Sequence, residues 1–382
     1  MSITKRPNRI HCLSSIRTIS ISWVVAGHVL ALFLDSDNLV STLDNFVYIL
    51  NDAFVTAYTA VDTFFFISGL LVGYIFFRSV TKNPKSVKSP AFWCLYYIHR
   101  YIRLSPPYFF FIAFATVISD YVTFGPILFH EMVNAGPCKT EWWSNVLYIN
   151  KMYANFQCLT HTWYLAADMQ MYIFAPLLLI PLLFTPVIGV FLIILFAGIN
   201  YVVYAKYDLP ADVYCNYRKK LIHYDNLVYY SVWNRCTPYL IGIYTGYFLF
   251  KTKNKKLHLH WAYIILLWIA SFLAACGCVY GLYDYLQGPS HKISNFASAS
   301  YSYWSRIGWA LAIAWVVVAC EKNWAGPIKN FLEQGLWLPF DRLTYCIYLT
   351  HAITLPLIYA IDGRPILYVS THYAVSLWKK HS

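Results

Sequence analysis

Apolar residues run along this chain in long blocks, with short polar breaks between them. The stretch 181–205 contains no Lys, Arg, Asp or Glu. About 20 apolar residues suffice to cross a bilayer as a helix. The pattern predicts nine spans, at 17–34, 54–77, 104–123, 163–183, 186–206, 236–251, 261–281, 303–320 and 338–360. A tenth stretch, 366–378, is too short to cross. The expected fold is therefore all-α, a polytopic transmembrane helical bundle of about nine to ten spans. No Gly- or Ser-rich linker divides it, so 1–382 reads as one domain, and no internal repeat is evident.

Composition supports this picture. The 382 residues are 59% hydrophobic and 12% charged, against roughly 25% charged in soluble domains. The formal charge of +12 raises nucleic-acid binding as a possibility, but the basic residues are confined to particular loops. "MSITKRPNRI", "RSVTKNPKSVK" with "HRYIRL", and "KTKNKKLHLH" alternate with the acidic "DSDNLVSTLDN" and other Lys- and Arg-poor loops. That alternation is the positive-inside pattern, and it predicts a cytoplasmic N-terminus without invoking nucleic acid. The run 218–220 on the outer side departs from it. Arg17 heads the first apolar run with no small-residue cleavage site after it, so no cleavable signal peptide is expected. The membrane, plasma or endoplasmic reticulum, is not resolved. Of ten cysteines, Cys138 and Cys158 share an outer, oxidising loop and are expected to pair, with two free thiols as the alternative. No spacing resembles a metal site.

The candidate chemistry lies in ionisable residues within the spans. Arg17 and His28 are eleven residues apart on the first span, about three turns and nearly one helical face. A histidine on an apolar face is often structural, but inside a membrane it needs a partner and points to function. In "THTWYLAADMQMYIFAP", His161, Tyr164, Asp168 and Tyr172 share one face and read as a cavity wall. A carboxylate at this depth needs a counter-charge, and His28 is the expected partner of Asp168. Arg100 and Arg103 are three apart in "HRYIRLSPPY". They read either as a forked phosphate clamp or as snorkelling side chains. Asp62 in "VDTFFFISGLLVGY" reads as a helix cap or as a site residue. Gly69 and Gly73 in the same segment have the spacing of close helix packing. Arg306 and His351 are further intramembrane ionisable groups, and Asp341 lies at the interface.

Six stretches resemble the membrane acyltransferase 3 family, and within it the animal nose-resistant-to-fluoxetine-like group. They are "CLSSIRTISISWVVAGH", "VDTFFFISGLLVGY", "HRYIRLSPPYFF", "CLTHTWYLAADMQMYIFAP", "RCTPYLIGIYTGY" and "DRLTYCIYLTH", in the family's order over 12–351. The family's Arg–ten residues–His pattern falls on Arg17 and His28, its Arg-x-x-Arg pair on Arg100 and Arg103, and its W-x-L-x-x-acid block on Trp163, Leu165 and Asp168. The wider family usually has Glu at the position of Asp168. Its animal members usually carry a cysteine-rich extracellular domain and one more span before the "CLSSIR" position. The chain is accordingly expected to be a shortened paralogue or an incomplete gene product.

The resemblance implies an O-acyltransferase. An acyl group would pass from cytoplasmic acyl-CoA, a co-substrate and not a bound cofactor, to a hydroxyl of a lipid, glycan or small acceptor. His28 would act as general base oriented by Asp168, and Arg17, Arg100 and Arg103 would bind the CoA phosphates. Asp62, His161, Trp163 and Tyr164 would contact substrate. The alternative is a transporter, or a lipid- or drug-binding membrane protein that retains the fold without catalysis. The expected partners are membrane lipids, acyl-CoA and the unidentified acceptor, with no nucleic acid and no metal.

Overall fold

The computed structural model describes residues 10–33, 49–118, 137–150, 158–185, 187–211, 224–287 and 291–361. The acidic 35–45 segment, the 218–220 run and the 366–378 stretch lie outside the described residues. Every regular element among the described residues is helical. The main helices are α1 (Cys12–Phe33), α2 (Thr59–Lys82), α3 (Pro90–Ile118), α4 (Cys138–Val146) and α5 (Trp163–Phe174). They continue with α6 (Val187–Tyr207), α7 (Val232–Thr252), α8 (Trp261–Tyr280), α9 (Asn295–Glu321) and α10 (Trp337–Ile361).

Among the described residues, six segments are long and apolar enough to cross a membrane: Cys12–Ala31, Asp52–Lys82, Thr160–Leu183, Val187–Tyr207, Trp261–Leu286 and Asn295–Glu321. This count does not by itself reach the nine to ten spans expected of the whole chain. Helices α7 and α10 also cover the predicted spans 236–251 and 338–360, and α3 covers residues 104–118 of the span predicted at 104–123. Arg100 and Arg103 fall in α3, Asn234 and Arg235 in α7, and Asp341, Arg342 and His351 in α10. On α6 and α8, residues such as Phe191, Ile194, Val202, Leu266, Phe272 and Leu273 are exposed. In water such faces would aggregate, whereas hydrocarbon accommodates them.

The centre of the bundle is the α2–α7 seam. A β-carbon at Gly69 would overlap the Tyr239 carbonyl, and one at Gly73 would lie 2.7 Å from the Ile243 oxygen. Reciprocally, Gly242 lies on the Phe66 carbonyl and Gly246 on that of Leu70. The contacts advance together along both helices, so α2 and α7 run parallel with their backbones touching. Asp62 precedes Gly69 and Gly73 at the spacing at which Arg235 precedes Gly242 and Gly246. Tyr74 and Tyr247 then follow the second glycine in each helix. This matched spacing is the internal correspondence that the sequence reading missed, because it involves only a few positions in two otherwise dissimilar segments.

Cys138 and Cys158 form a disulfide that ties α4 to the turn before α5. Asn145 Nδ2 donates to the Cys158 carbonyl at 3.1 Å, and Asn150 Nδ2 to Thr162 Oγ1 at 3.1 Å. Together these contacts fix the entry of α5, which carries most of the candidate site.

The seam makes a direct prediction for thermal unfolding in lipid or detergent. Gly69→Ala forces two backbones apart and should destabilise the protein by about 1–3 kcal/mol, the usual range for overpacking. Gly198→Ala, where nothing lies within 4 Å of the added carbon, should leave the melting temperature unchanged or raise it. Equal melting temperatures for Gly69→Ala and the parent would exclude backbone contact at the seam.

Candidate functional site

α1 and α10 run parallel and in register, joined by two polar contacts. Near the start of each helix, Arg17 Nη1 lies 3.3 Å from Asp341 Oδ1. Further along, the His28 and His351 rings meet edge-on with centroids 4.8 Å apart. Eleven residues separate the α1 members and ten the α10 members, so the two contacts are about 16 Å apart along the axis.

Backbone carbonyls set the imidazole tautomers. His28 Nδ1 is 2.9 Å from the Val24 carbonyl oxygen. A carbonyl only accepts, so Nδ1 carries the hydrogen and Nε2 presents a lone pair. His351 Nδ1 donates in the same way to the Tyr348 oxygen at 2.7 Å, and its Nε2 is buried without a partner. His28 is exposed, whereas His351 is buried. His161, in the turn before α5, approaches from the other side. Its Nε2 donates to the Leu349 oxygen at 3.2 Å, and its ring centroid is 5.6 Å from that of His351. The Tyr348 hydroxyl donates to the His161 carbonyl at 2.7 Å, and the Tyr164 ring packs on Tyr348 at 5.5 Å. His28, His161 and Tyr164 thus converge, and His351 completes the group.

Asp168 departs from expectation. Its partner is Arg100, not His28: Arg100 Nη2 donates to Asp168 Oδ2 and, at 3.1 Å, to Ser68 Oγ. The Arg100 guanidinium also stacks over the Tyr172 ring at 4.2 Å. Asp168 lies two turns along α5 from His161, which does reach the imidazoles, and α3 brings Arg100 to that level. A guanidinium is always charged and fork-shaped, so it answers a buried carboxylate better than an imidazole does. Capture of Arg100 also breaks the expected Arg100–Arg103 clamp, because Arg103 stays exposed. The pair was expected on one face, but three residues of helix turn the two side chains about 60° apart, and only one meets the carboxylate.

Asp62 is neither a cap nor an open site residue. It is fully buried, and its Oδ1 accepts from Arg235 Nη1 at 2.9 Å. It belongs to a buried ion pair sealed from solvent. Trp163 is buried beside it, with the Arg235 guanidinium 5.5 Å from its ring centre. Arg235 was missed by sequence reasoning. The signal available was its spacing to Gly242 and Gly246, the same as that of Asp62 to its glycines. Arg306 is also buried and donates to the Asn234 carbonyl at 2.8 Å. Among the described residues no group of His, Cys, Asp and Glu is arranged to hold a metal ion.

An apolar helical bundle with inward-facing histidines, each guanidinium inside it paired or hydrogen-bonded, defines an integral membrane protein with a polar interior. Its chain belongs to the acyltransferase 3 family, whose acyltransferase-domain model matches residues 10–378. The nose resistant to fluoxetine protein 6 of Caenorhabditis elegans is 32% identical over 378 residues, covering 92% of this chain and 46% of that protein. The regulator of hypoxia-inducible factor 1 of the same organism is 24% identical over 97% of this chain and 74% of its own length. A Staphylococcus aureus protein assigned by name to the O-acetyltransferases is 29% identical over 40% of this chain and 25% of its own. The chain thus spans about half the length of the first of these relatives. No solved structure matches it.

The ion pair assignment can be checked by a double-mutant cycle on unfolding in lipid. Breaking a buried pair on one side typically costs about 3–5 kcal/mol, so Arg100→Ala and Asp168→Ala should each lower stability strongly. The double variant should fall well short of their sum. His28→Ala and Asp168→Ala should be additive in the same cycle. Coupling of Asp168 to His28 in place of Arg100 would reverse the assignment.

Proposed function

We propose that the protein is a membrane-embedded O-acyltransferase that moves an acyl group from cytoplasmic acyl-CoA to a hydroxyl of a lipid, glycan or small acceptor. The observation that carries this reading is His28. Its Nδ1–H is held by the Val24 carbonyl, and its ring is exposed within the bundle, so its Nε2 lone pair is free to act as a base in a chain of the acyltransferase 3 family. In the proposed step, Nε2 takes the proton of the acceptor hydroxyl as its oxygen attacks the thioester carbonyl. The C–O bond forms, the C–S bond breaks, and the CoA thiolate leaves and is reprotonated. A thioester is already activated, so no covalent acyl-enzyme is required. Exposed Arg103 and half-buried Arg17 are among the cations that would meet CoA phosphates, Arg17 by exchanging its contact with Asp341. Arg100 and Asp168 fix α3 against α5 and so hold His161 and Tyr164 in place.

The contacts at helix ends support nine alternating crossings with a cytoplasmic N-terminus. Cys12 at the start of α1 meets Cys320 at the end of α9. Lys322, just after α9, donates to the Thr252 carbonyl at the end of α7. Arg17 near the start of α1 meets Asp341 near the start of α10. Lys251, Lys253, Lys255 and Lys256 share this side, which makes it the side that resists translocation. A glycosylation acceptor placed between Lys253 and His260 should therefore stay unmodified in cells, and its glycosylation would invert the topology.

The activity is tested by following CoA release from labelled acyl-CoA by the full chain in lipid nanodiscs supplied with host lipid and glycan extract. Removing a general base usually lowers rate by about 10²–10⁴-fold. His28→Ala should lose turnover on that scale while its melting temperature stays near that of the parent. Undiminished turnover in folded His28→Ala would remove the base and favour a carrier that keeps the fold without the chemistry.

A further inference from the structure

Among the described residues, no carboxylate pairs with His28. Asp168 is held by Arg100 and Asp341 by Arg17, so the positive charge that His28 acquires as a base must be stabilised otherwise. The group next to it is a second imidazole with an unpartnered, buried Nε2 on a ring only 4% exposed. A buried acceptor with no donor is unfavourable by about 1–3 kcal/mol and calls for an explanation.

The tautomers supply one. With both Nδ1–H groups committed to carbonyls of their own helices, His28 and His351 each present a lone pair at Nε2. Two lone pairs do not bond to each other. Adding one proton makes one nitrogen a donor and the other an acceptor. The ring centres are 4.8 Å apart, so a small rotation of either side chain brings the two nitrogens within ordinary hydrogen-bond length.

We propose that His351 is the proton partner of His28, so that the proton taken from the acceptor hydroxyl is shared between the two Nε2 atoms before it returns to the departing thiolate. This rests on the acyl-transfer reading given above. No atom is unaccounted for: the hydroxyl loses the proton, the pair carries it, and the CoA sulfur receives it. Spreading one charge over two rings lessens the penalty of holding it in an apolar interior, as a carboxylate would otherwise do. His351 acts through His28 and is a positioning residue. The titratable groups around it are His28 from α1, His161 from the turn before α5, and Tyr348 on its own helix, with Tyr108 of α3 facing Tyr348. His161 is not equivalent, because its Nε2–H is spent on the Leu349 carbonyl.

Two variants of the full chain in nanodiscs test the pair. His351→Phe keeps a ring but no acceptor, and His351→Gln keeps an acceptor. A hydrogen bond to a charged group is worth about 1.5–3 kcal/mol, or about 10- to 100-fold. Turnover in CoA release should fall by that factor in His351→Phe with the KM for acyl-CoA unchanged, and His351→Gln should recover part of it. A second readout does not depend on activity. Diethyl pyrocarbonate modifies only neutral imidazole, and the pH midpoint for modification of His28, followed by peptide mass spectrometry, should move by about half a unit or more in His351→Phe. An unmoved midpoint in folded His351→Phe and His351→Gln overturns the pair, whatever the turnover. A moved midpoint in a parent protein that releases no CoA supports the pair and overturns the acyl-transfer reading alone.

Discussion

The structure depends on the backbone contact between α2 and α7. Four glycines let two parallel helices approach until carbonyls of one touch the α-carbons of the other. That proximity brings Asp62 and Arg235 together at 2.9 Å where neither is exposed. With any side chain at Gly69 the helices separate, and each charge is then left in an apolar interior with no compensation. Trp163 of α5 lies beside the same guanidinium, and α9 reaches the seam through Trp309, whose Nε1 donates to Thr63 Oγ1 at 2.8 Å. The arrangement of α5, and with it the histidines, follows from this one close approach.

Around the seam, charges are neutralised locally. Arg100 takes Asp168, Arg235 takes Asp62, and Arg17 takes Asp341. In hydrocarbon an unpaired ion is so unfavourable that pairing dominates over any other use of a carboxylate. The imidazoles can remain uncharged at rest, and among the described residues none of the three carboxylates above is paired with them. They take backbone carbonyls instead, which fixes the nitrogen that each ring presents. A polar site of low resting charge suits an interior that must also admit an acyl chain.

Much of this was legible in the sequence. The helices follow from apolar run length, the Arg17–His28 face from helical pitch, and the close packing at Gly69 and Gly73 from their spacing. The inward face of His161, Tyr164, Asp168 and Tyr172 followed from offsets of three and four residues. The neighbours of each helix did not, because periodicity gives the orientation of a side chain about its own axis and says nothing of which helix stands opposite. Hence Asp168 was assigned to His28 when α3 supplies Arg100, and Asp62 was left open when α7 supplies Arg235. Span length is harder to read where a helix is walled in by protein. Helices such as α7, walled in by protein, can carry Asn234 and Arg235 and so lose the uniform greasiness that marks a lipid-facing helix.

The register of α1 against α10 has a mechanical consequence. The Arg17–Asp341 contact pins α10 at one level and the His28–His351 contact at another, so the two helices shear past one another only if both let go. An anion that competes with Asp341 for Arg17 at the rim loosens the lower pin. The imidazole contact and the packing of Ile21 and Val24 near Ile347 and Tyr348 then hold the alignment of the pair. A helix turn is about 5.4 Å, so a slide of even a fraction of that parts rings whose centres are 4.8 Å apart. Events at the rim and at the rings are thereby linked through a sliding rod, with no charge needing to act across the distance between them.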